Sequence, residues 1–224
     1  MTALGRVVAV CVVHTERDSG SRRAPRTAID KRPVDGDVQV GLLGLAGDHV
    51  CDTEFHGGEH KAVYAYHDDE AQRWAGELGR DVAPGWFGEN LRIAGPVTAT
   101  DAVVGERWRI GEQLVLEVTG PRVPCGTFGT WTGERRWVKR FTERADTGAY
   151  LRVVTAGPVR AGDAVRRIHV PDHGVTVREV FTGEQPDRLE ALLAAVPDLS
   201  PSATERIDHH LSRAERARDA EGLA

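Results

Sequence analysis

The residue types best suited to chemistry in this chain lie in the segment Pro121-Arg122-Val123-Pro124-Cys125. It follows an aliphatic and β-branched run, residues 114–118, that predicts a β-strand. The strand must end near Gly120-Pro121, because proline offers no N–H to a sheet ladder. Cys125 therefore lies in a stiff loop at a strand end. A guanidinium beside it favours the thiolate, which binds soft metals or attacks electrophiles, and the alternative is a small buried hydrophobe.

A second segment, residues 47–61, collects titratable side chains around the pair Gly57-Gly58. Paired glycines let backbone N–H groups approach a phosphate, and Lys61 adds a positive point charge. The segment therefore predicts an anion-binding loop. A turn whose polar side chains are only solvated is the alternative.

Zinc is a further hypothesis for the same segment, with His56 and His60 as ligands together with Cys51 or Asp48. The spacing of the two histidines resembles the i, i+4 pair of helical zinc sites. Gly57-Gly58 lies between them, however, and removes the helix that this geometry needs. The zinc hypothesis is therefore the weaker one.

The third segment is Gly85-Trp86-Phe87-Gly88-Glu89-Asn90-Leu91. The Asn90 side chain offers two donors and one acceptor, which suits recognition of a flat heterocycle. Glu89 could accept from ring N–H groups or orient a basic residue. A turn with a local hydrogen bond from asparagine to the backbone is the alternative.

The bulk composition excludes several classes of function. The 224 residues are 40% hydrophobic, which suits a globular protein, and 29 basic against 34 acidic residues give a net charge of −5. That balance predicts no general attraction to nucleic acid or anionic membranes. No apolar run approaches the ~20 residues of a membrane helix. Three widely spaced cysteines and an N-terminus without signal-peptide layout predict free thiols and a cytoplasmic protein.

Short strands separated by glycine turns dominate the elements that must position these segments. Strands are predicted at residues 7–13, 38–45, 62–66, 150–155 and 164–170, with two or three more between 91 and 118. Residues 15–36 are polar and predict a long loop. Helices are predicted after Asp68, from an apolar stripe that includes Trp74 and Leu78, and at residues 134–144. The pattern favours a β-rich α+β fold, a β-barrel decorated with helices.

The composition changes after Pro171. Leu189, Leu192 and Leu193 begin one helical stripe, and Ser202-Ala203-Thr204-Glu205 is a capping-box pattern ahead of another helix. Two short helices rarely fold alone, so they must pack on the main domain or on a partner subunit. We expect a barrel domain at residues 1–170 and a small helical subdomain at 171–224.

Three stretches together resemble the MOSC domain, the molybdenum-cofactor sulfurase C-terminal domain, and in particular its small stand-alone YiiM-like bacterial branch. They are Gly47-Asp48 through His56-Gly57-Gly58 to Lys61-Ala62-Val63-Tyr64, then Phe87-Gly88-Glu89-Asn90-Leu91, then Pro121-Arg122-x-Pro124-Cys125. Arg140-Phe141, residues 148–153 and Ala161-Gly162-Asp163 also match. The resemblance covers residues 5–170, and the C-terminal helices resemble that branch's three-helix appendage.

The resemblance implies a MOSC-type β-barrel, a homodimer and a bound molybdenum cofactor (molybdopterin). It makes Cys125 the catalytic residue, as the protein ligand to molybdenum or as a persulfide carrier. The implied cofactor-binding positions are Asp48, His56, Gly57, Gly58, Lys61, Glu89, Asn90 and Arg122. Cys51 departs from the pattern, since relatives usually have a small residue there.

The function implied is reduction of N-hydroxylated small molecules, such as hydroxylaminopurines, with electrons from an external flavin or iron–sulfur protein. The chain has no CxxC cluster motif and no GxGxxG, so it cannot supply its own electrons. A sulfur carrier that holds a persulfide on Cys125 is the alternative. A non-catalytic module that only binds the cofactor is a third hypothesis.

Overall fold

A computed structural model describes residues 2–54 and 56–222. The strands are β1 (Thr2–Asp18), β2 (Arg26–Pro33), β3 (Val38–Gly41), β4 (Gly44–Leu45), β5 (Val63–His67), β6 (Leu91–Ala94), β7 (Arg107–Ile110), β8 (Leu114–Pro121), β9 (Ala149–Thr155), β10 (Gly157–Val159) and β11 (Ala164–His169). The helices are α1 (Asp68–Leu78), α2 (Gly126–Thr132), α3 (Trp137–Arg144), α4 (Val177–Thr182), α5 (Pro186–Ala195) and α6 (Pro201–Gly222), with a 3-10 turn at Glu59–Lys61.

Within the described residues, seven strands close into a barrel in the order β1, β6, β5, β9, β8, β7, β11 and back to β1. Neighbours run antiparallel except β5 and β6, which are parallel and are joined through α1. Strands β10, β3 and β4 form a separate small sheet. The predicted β-rich α+β barrel with added helices is confirmed.

The end of β1 and the whole of β2 form a two-stranded ribbon that extends the sheet beyond the barrel. The prediction of a long loop over residues 15–36 is therefore wrong. The ribbon is held by its ladder and by ion pairs such as Arg17 to Asp30 at 2.6 Å. Because few apolar side chains take part, the sequence lacks the alternation that would have indicated strands.

Two hydrophobic clusters occupy opposite faces of the barrel wall. Strand β5 shows the division, because Val63 and Ala65 belong to an aliphatic cluster whereas Tyr64 and Tyr66 belong to an aromatic one. The alternation of side chains along a strand places these pairs on opposite faces. The aliphatic cluster fills the barrel, and the aromatic cluster lies outside it, where Tyr66 stacks on Phe87 at 4.0 Å between ring centroids.

Two predicted elements have different boundaries in the structure, and one helix was not predicted. The strand predicted over residues 38–45 is a hairpin of β3 and β4. The helix predicted at 134–144 begins only at Trp137, because Arg136 adopts a left-handed φ of 55° and ends any helix before it. Helix α2 was not predicted, since Gly126 and Gly129 both lower its intrinsic helix propensity.

The C-terminal helices pack on the barrel. Leu189 and Leu192 of α5 and Ile207 of α6 belong to the same aliphatic cluster as the barrel interior. The predicted capping box at residues 202–205 is wrong, because α6 begins at Pro201 and the Ser200 hydroxyl accepts from the Ala203 amide at 3.3 Å instead. The division of the chain at residue 170 stays a prediction. Across residues 2–54 and 56–222, no helix combines the length and apolarity needed to cross a membrane.

Candidate functional site

A cleft of about 580 Å³ lies on the outer wall of the barrel. Its walls come from β2, from the loop that follows β4, from β5 and β9, and from the junction of β8 with α2. The sequence-predicted positions that line it are Asp48, His56, Gly57, Gly58, Lys61, Asn90, Arg122 and Cys125. Segments far apart in sequence therefore meet in one cavity, of a size typical of small-molecule sites.

Cys125 lies half-buried directly before α2, at the N-cap position of that helix. Burial raises the pKa of its thiol, but the hydrogen bond to His56, the charge of Arg122 and the Phe128 amide lower it more, to about 7. Near neutral pH the thiol is therefore substantially ionised. Cys125 lines the cleft, so it is not the sealed hydrophobe that the sequence left open as an alternative.

The other two thiols have raised pKa values. Burial, followed by the charge of Glu89, raises the pKa of Cys11 well above that of an ordinary thiol. Burial and the carboxylate of Glu16 raise the pKa of Cys51, which lines the same cleft as Cys125. Cys125 is thus the one of the three whose pKa is lowered.

Arg122 lines the cleft and is only 6% exposed. Its guanidinium stacks on the ring of Phe128 at 3.6 Å and lies 5.7 Å from the ring of Tyr64. Its buried Nη1 has no hydrogen-bond partner among the described protein atoms. Because aromatic faces rather than a carboxylate cover this cation, its charge is available to an anionic ligand in the cleft.

Asp48 and Asn90 connect the loop after β4 to the barrel. Asp48 accepts from the Val13 amide at 3.0 Å, from the Asn90 side chain at 2.8 Å, and from the ammonium of Lys31. Asn90 also donates to a main-chain carbonyl of β1 at 3.3 Å and accepts from the Tyr64 amide at 3.1 Å. Both donors and the acceptor of Asn90 are therefore engaged within the protein, so Asn90 shapes the cleft wall.

The glycine pair sets the course of the loop that carries His56. Gly57 and Gly58 have φ values of +79° and +78°, a conformation that other residues rarely adopt. The turn places His56 against Cys125 and leads into the 3-10 turn that carries Lys61. The Lys61 ammonium lies 5.9 Å from the ring of Tyr150, and burial lowers the pKa of Lys61.

Glu89 does not line the cleft, and it supports the loop that does. It is fully buried, accepts from the amides of Gly85 and Phe87 at 2.8 and 3.0 Å, and pairs with Arg92 at 2.5 Å. Phe87 and Gly88, on that loop, line the cleft. The sequence left two roles open for Glu89, accepting from ring N–H groups of a ligand or orienting a basic residue. The ion pair with Arg92 corresponds to the second role.

The histidine pair of the zinc hypothesis does not come together. His56 lines the main cleft, whereas His60 lines a separate small cavity together with Arg152 and Asp198. In the described part of the chain, a group of side chains close enough together to bind one metal ion is formed instead by Glu16, His49 and Cys51. His56 and His60 are separated because the turn at Gly57-Gly58 directs their side chains into different cavities.

Sequence reasoning missed several residues of the cleft. Lys31 and Arg26 line it from β2, which was predicted as loop, and Tyr150 lines it from β9. Tyr150 hydrogen-bonds Arg122. The buried positions of β2 include the charged Asp30 and Lys31, so the strand lacks the apolar alternation that would have indicated it in the sequence.

Comparison with known proteins identifies the family. The MOSC domain family matches residues 52–166, which is more than half of the 224 residues. The chain belongs to the MOSC domain family. The matched range contains His56 and the glycine pair, the support loop of Glu89 and the junction that carries Cys125.

Relatives in bacteria and a fungus share this domain. The chain is 32% identical over 152 residues to the uncharacterized protein YflK of Bacillus subtilis strain 168, covering 68% of both chains. It is 35% identical over 117 residues to YiiM of Escherichia coli K12 and 28% identical over 148 residues to a reductase of Gibberella moniliformis. These matches span 51% of YiiM and 26% of the reductase. A role related to the molybdenum cofactor fits this family membership.

Solved structures share the fold over nearly the whole chain. YiiM from Geobacillus stearothermophilus superposes with a TM-score of 0.74 at 23% identity, covering 92% of this chain and 98% of that one. YiiM from Escherichia coli gives a TM-score of 0.69 at 24% identity, covering 93% and 94%. At such identities the likeness shows the fold, including the arrangement of barrel and C-terminal helices.

Proposed function

We propose that this MOSC protein is a molybdenum-cofactor-dependent reductase of N-hydroxylated compounds, with Cys125 as the ligand to molybdenum. The observation that carries the proposal is the meeting of two groups in one cleft. Cys125 there has a pKa lowered to about 7, and Arg122 presents a buried guanidinium nitrogen without a partner. A soft anionic ligand and an uncompensated cation are complementary to a metal and to a phosphate, respectively.

The residues of the cleft fit this cofactor. Its volume of about 580 Å³ accommodates a phosphorylated heterocycle. The ammonium of Lys61 and the guanidinium of Arg122 line it and favour an anionic ligand. The ammonium of Lys31 is paired with Asp48. When bound, the cofactor would supply the two-electron reduction of an N–OH group to N–H, with uptake of two protons and release of water.

The chain's own residues would prepare the thiol and exclude water. The hydrogen bond from His56 keeps Cys125 in the thiolate form that a soft metal needs. The rings of Phe87 and Tyr150 line the cleft and reduce its contact with water. Asp48 and Asn90 hold the loop after β4 in place, so His56 stays aligned with the sulfur.

The proposal also covers the partners, the substrate and the location of the protein. It includes an external flavin or iron–sulfur electron donor, because the sequence has neither a CxxC nor a GxGxxG motif of its own. It also includes a small-molecule substrate, a homodimer and a cytoplasmic location. The net charge of −5 supports the expectation that nucleic acid is not a partner.

Molybdenum content tests the proposal directly. The full chain, purified natively from a host that makes the cofactor, is assayed for molybdenum, for pterin fluorescence and for reduction of a hydroxylaminopurine by a chemical electron donor. We expect Cys125→Ser to lose both the metal and the activity. Cys51→Ser, which removes the other thiol of the cleft, should keep its molybdenum. Retention of molybdenum and turnover in Cys125→Ser would refute the assignment of the ligand.

Sulfur transfer is the second candidate, and the same thiolate favours it. A persulfide on Cys125 would require the ionised, accessible sulfur that the contact with His56 maintains. The intact mass of the purified protein distinguishes the two functions. An added sulfur atom on Cys125, removed by thiol reductant and accompanied by no bound pterin, would support the carrier in place of the reductase.

A further inference from the structure

A second group of ligand-type side chains lies at the edge of the cleft, apart from Cys125. Glu16, near the end of β1, meets His49 and Cys51 from the segment after β4. One ligand atom from each of the three lies within 4.8 Å of the others. The Nε2 of His49 is 3.0 Å from the Oε1 of Glu16, and the Cys51 thiol is hydrogen-bonded to the same carboxylate.

We propose that Glu16, His49 and Cys51 form a binding site for a divalent transition metal of the zinc type. A thiolate, an imidazole and a carboxylate are the three classes of zinc ligand in proteins. Ligands at the usual zinc distances of about 2.0–2.3 Å in a tetrahedron are roughly 3.3–3.8 Å apart. The observed cluster therefore needs only small side-chain movements to surround an ion.

The carboxylate of Glu16 is already oriented for this role. Arg26 donates to its Oε2 at 3.2 Å and to the main-chain carbonyl of Glu16 at 3.1 Å. The other oxygen, Oε1, is the one that faces His49. Arg26 thus acts as a positioning residue, in the way that outer-shell hydrogen bonds fix the ligands of metal sites.

Three protein ligands leave the fourth tetrahedral position to water or to a substrate atom, which is the arrangement of catalytic rather than structural zinc sites. His49 and Cys51 both line the cleft that contains Cys125. An oxygen in the fourth position would therefore be close to any molecule bound there. The zinc hypothesis from the sequence used His56 and His60 together with Cys51 or Asp48. In the site proposed here Cys51 remains a ligand, and Glu16 and His49 replace the two histidines of that hypothesis.

Cobalt(II), a spectroscopic substitute for zinc, tests the site without any assay of activity. The full chain is stripped of metal with a chelator and titrated with Co²⁺. We expect a thiolate-to-cobalt charge-transfer band and the visible bands of tetrahedral cobalt, saturating at one ion per chain and abolished by Zn²⁺. Cys51→Ser should lose the charge-transfer band. His49→Gln, at an exposed position, should weaken binding by at least about 10- to 100-fold, the loss expected even for a supporting residue of a metal site.

Cys125→Ser is the matched control, because it removes a thiol from the same cleft and should leave the cobalt spectrum unchanged. Circular dichroism of each variant verifies the fold. The proposal is overturned if the wild-type chain shows no thiolate-to-cobalt band. It is equally overturned if the band survives in Cys51→Ser and disappears in Cys125→Ser, a result that would leave the proposed molybdenum ligand intact.

Discussion

Replacing His56 should change the ionisation of Cys125 in a calculable way. At a pKa of about 7 the thiol is about half ionised at pH 7, whereas at the ordinary value of 9.0 only about 1% is ionised. His56→Gln removes the hydrogen bond that contributes most to lowering the pKa, while Arg122 remains. We expect the pKa to rise by at least one pH unit, which reduces the thiolate fraction at pH 7 by about 5- to 50-fold.

The rate of alkylation by iodoacetamide as a function of pH measures this change. The modified peptide that contains Cys125 is quantified by mass spectrometry in a buffer with chelator, so the other two thiols do not interfere. His49→Gln is the control, because it removes a histidine that lines the same cleft without contacting Cys125. If the wild-type rate inflects near the ordinary thiol value, or if His56→Gln keeps the wild-type inflection, the assigned cause of the reactivity is wrong.

Three further predictions concern stability, each measured by urea unfolding. Burial raises the pKa of Glu70 from 4.5 to about 7, so the free energy of unfolding of the wild type falls as the pH rises through that range. The free energy of unfolding of Glu70→Gln should exceed that of the wild type by about 3 kcal/mol near pH 8 and should equal it below pH 4.5. Glu89→Gln leaves the charge of buried Arg92 without its main partner and should cost about 3–5 kcal/mol; a loss below about 1 kcal/mol would contradict this. Gly58→Ala should cost about 1–3 kcal/mol because φ is +78° and ψ is 171°, a conformation essentially restricted to glycine. Gly126→Ala, with open space and no positive φ, should be neutral or stabilising.

The sequence predicted the barrel well because its wall is built from short apolar strands. Residues such as Val63 and Leu116 lie in strands that are buried along their whole length, and such strands are visible in the sequence as short runs of apolar and β-branched residues. The ribbon of β1 and β2 was missed because ion pairs and backbone hydrogen bonds stabilise it. Its polar side chains have the composition of a loop, so Lys31 was not predicted as part of the site.

Eight of the nine predicted site positions line the cleft, and the ninth, Glu89, supports the loop beside it. What the sequence could not give is the role of each side chain within the cleft. Asn90 has the donors to recognise a heterocycle, but they are used by Asp48 and the backbone. The pairing of Cys125 with His56 joins residues 69 positions apart, and no local pattern encodes such a contact.

The opposite facing of the two clusters on β5 separates the barrel interior from the outer wall that a ligand can contact. Val63 and its aliphatic neighbours are buried on the inside, whereas Tyr64, the next residue along, lines the cleft on the outside. A library that diversifies only the outward positions and the loops above them therefore leaves the barrel interior untouched. Tyr64 and Phe87 also belong to the buried aromatic cluster, so a change of ligand preference costs least stability at the cleft positions outside that cluster, such as those on the loop after β4.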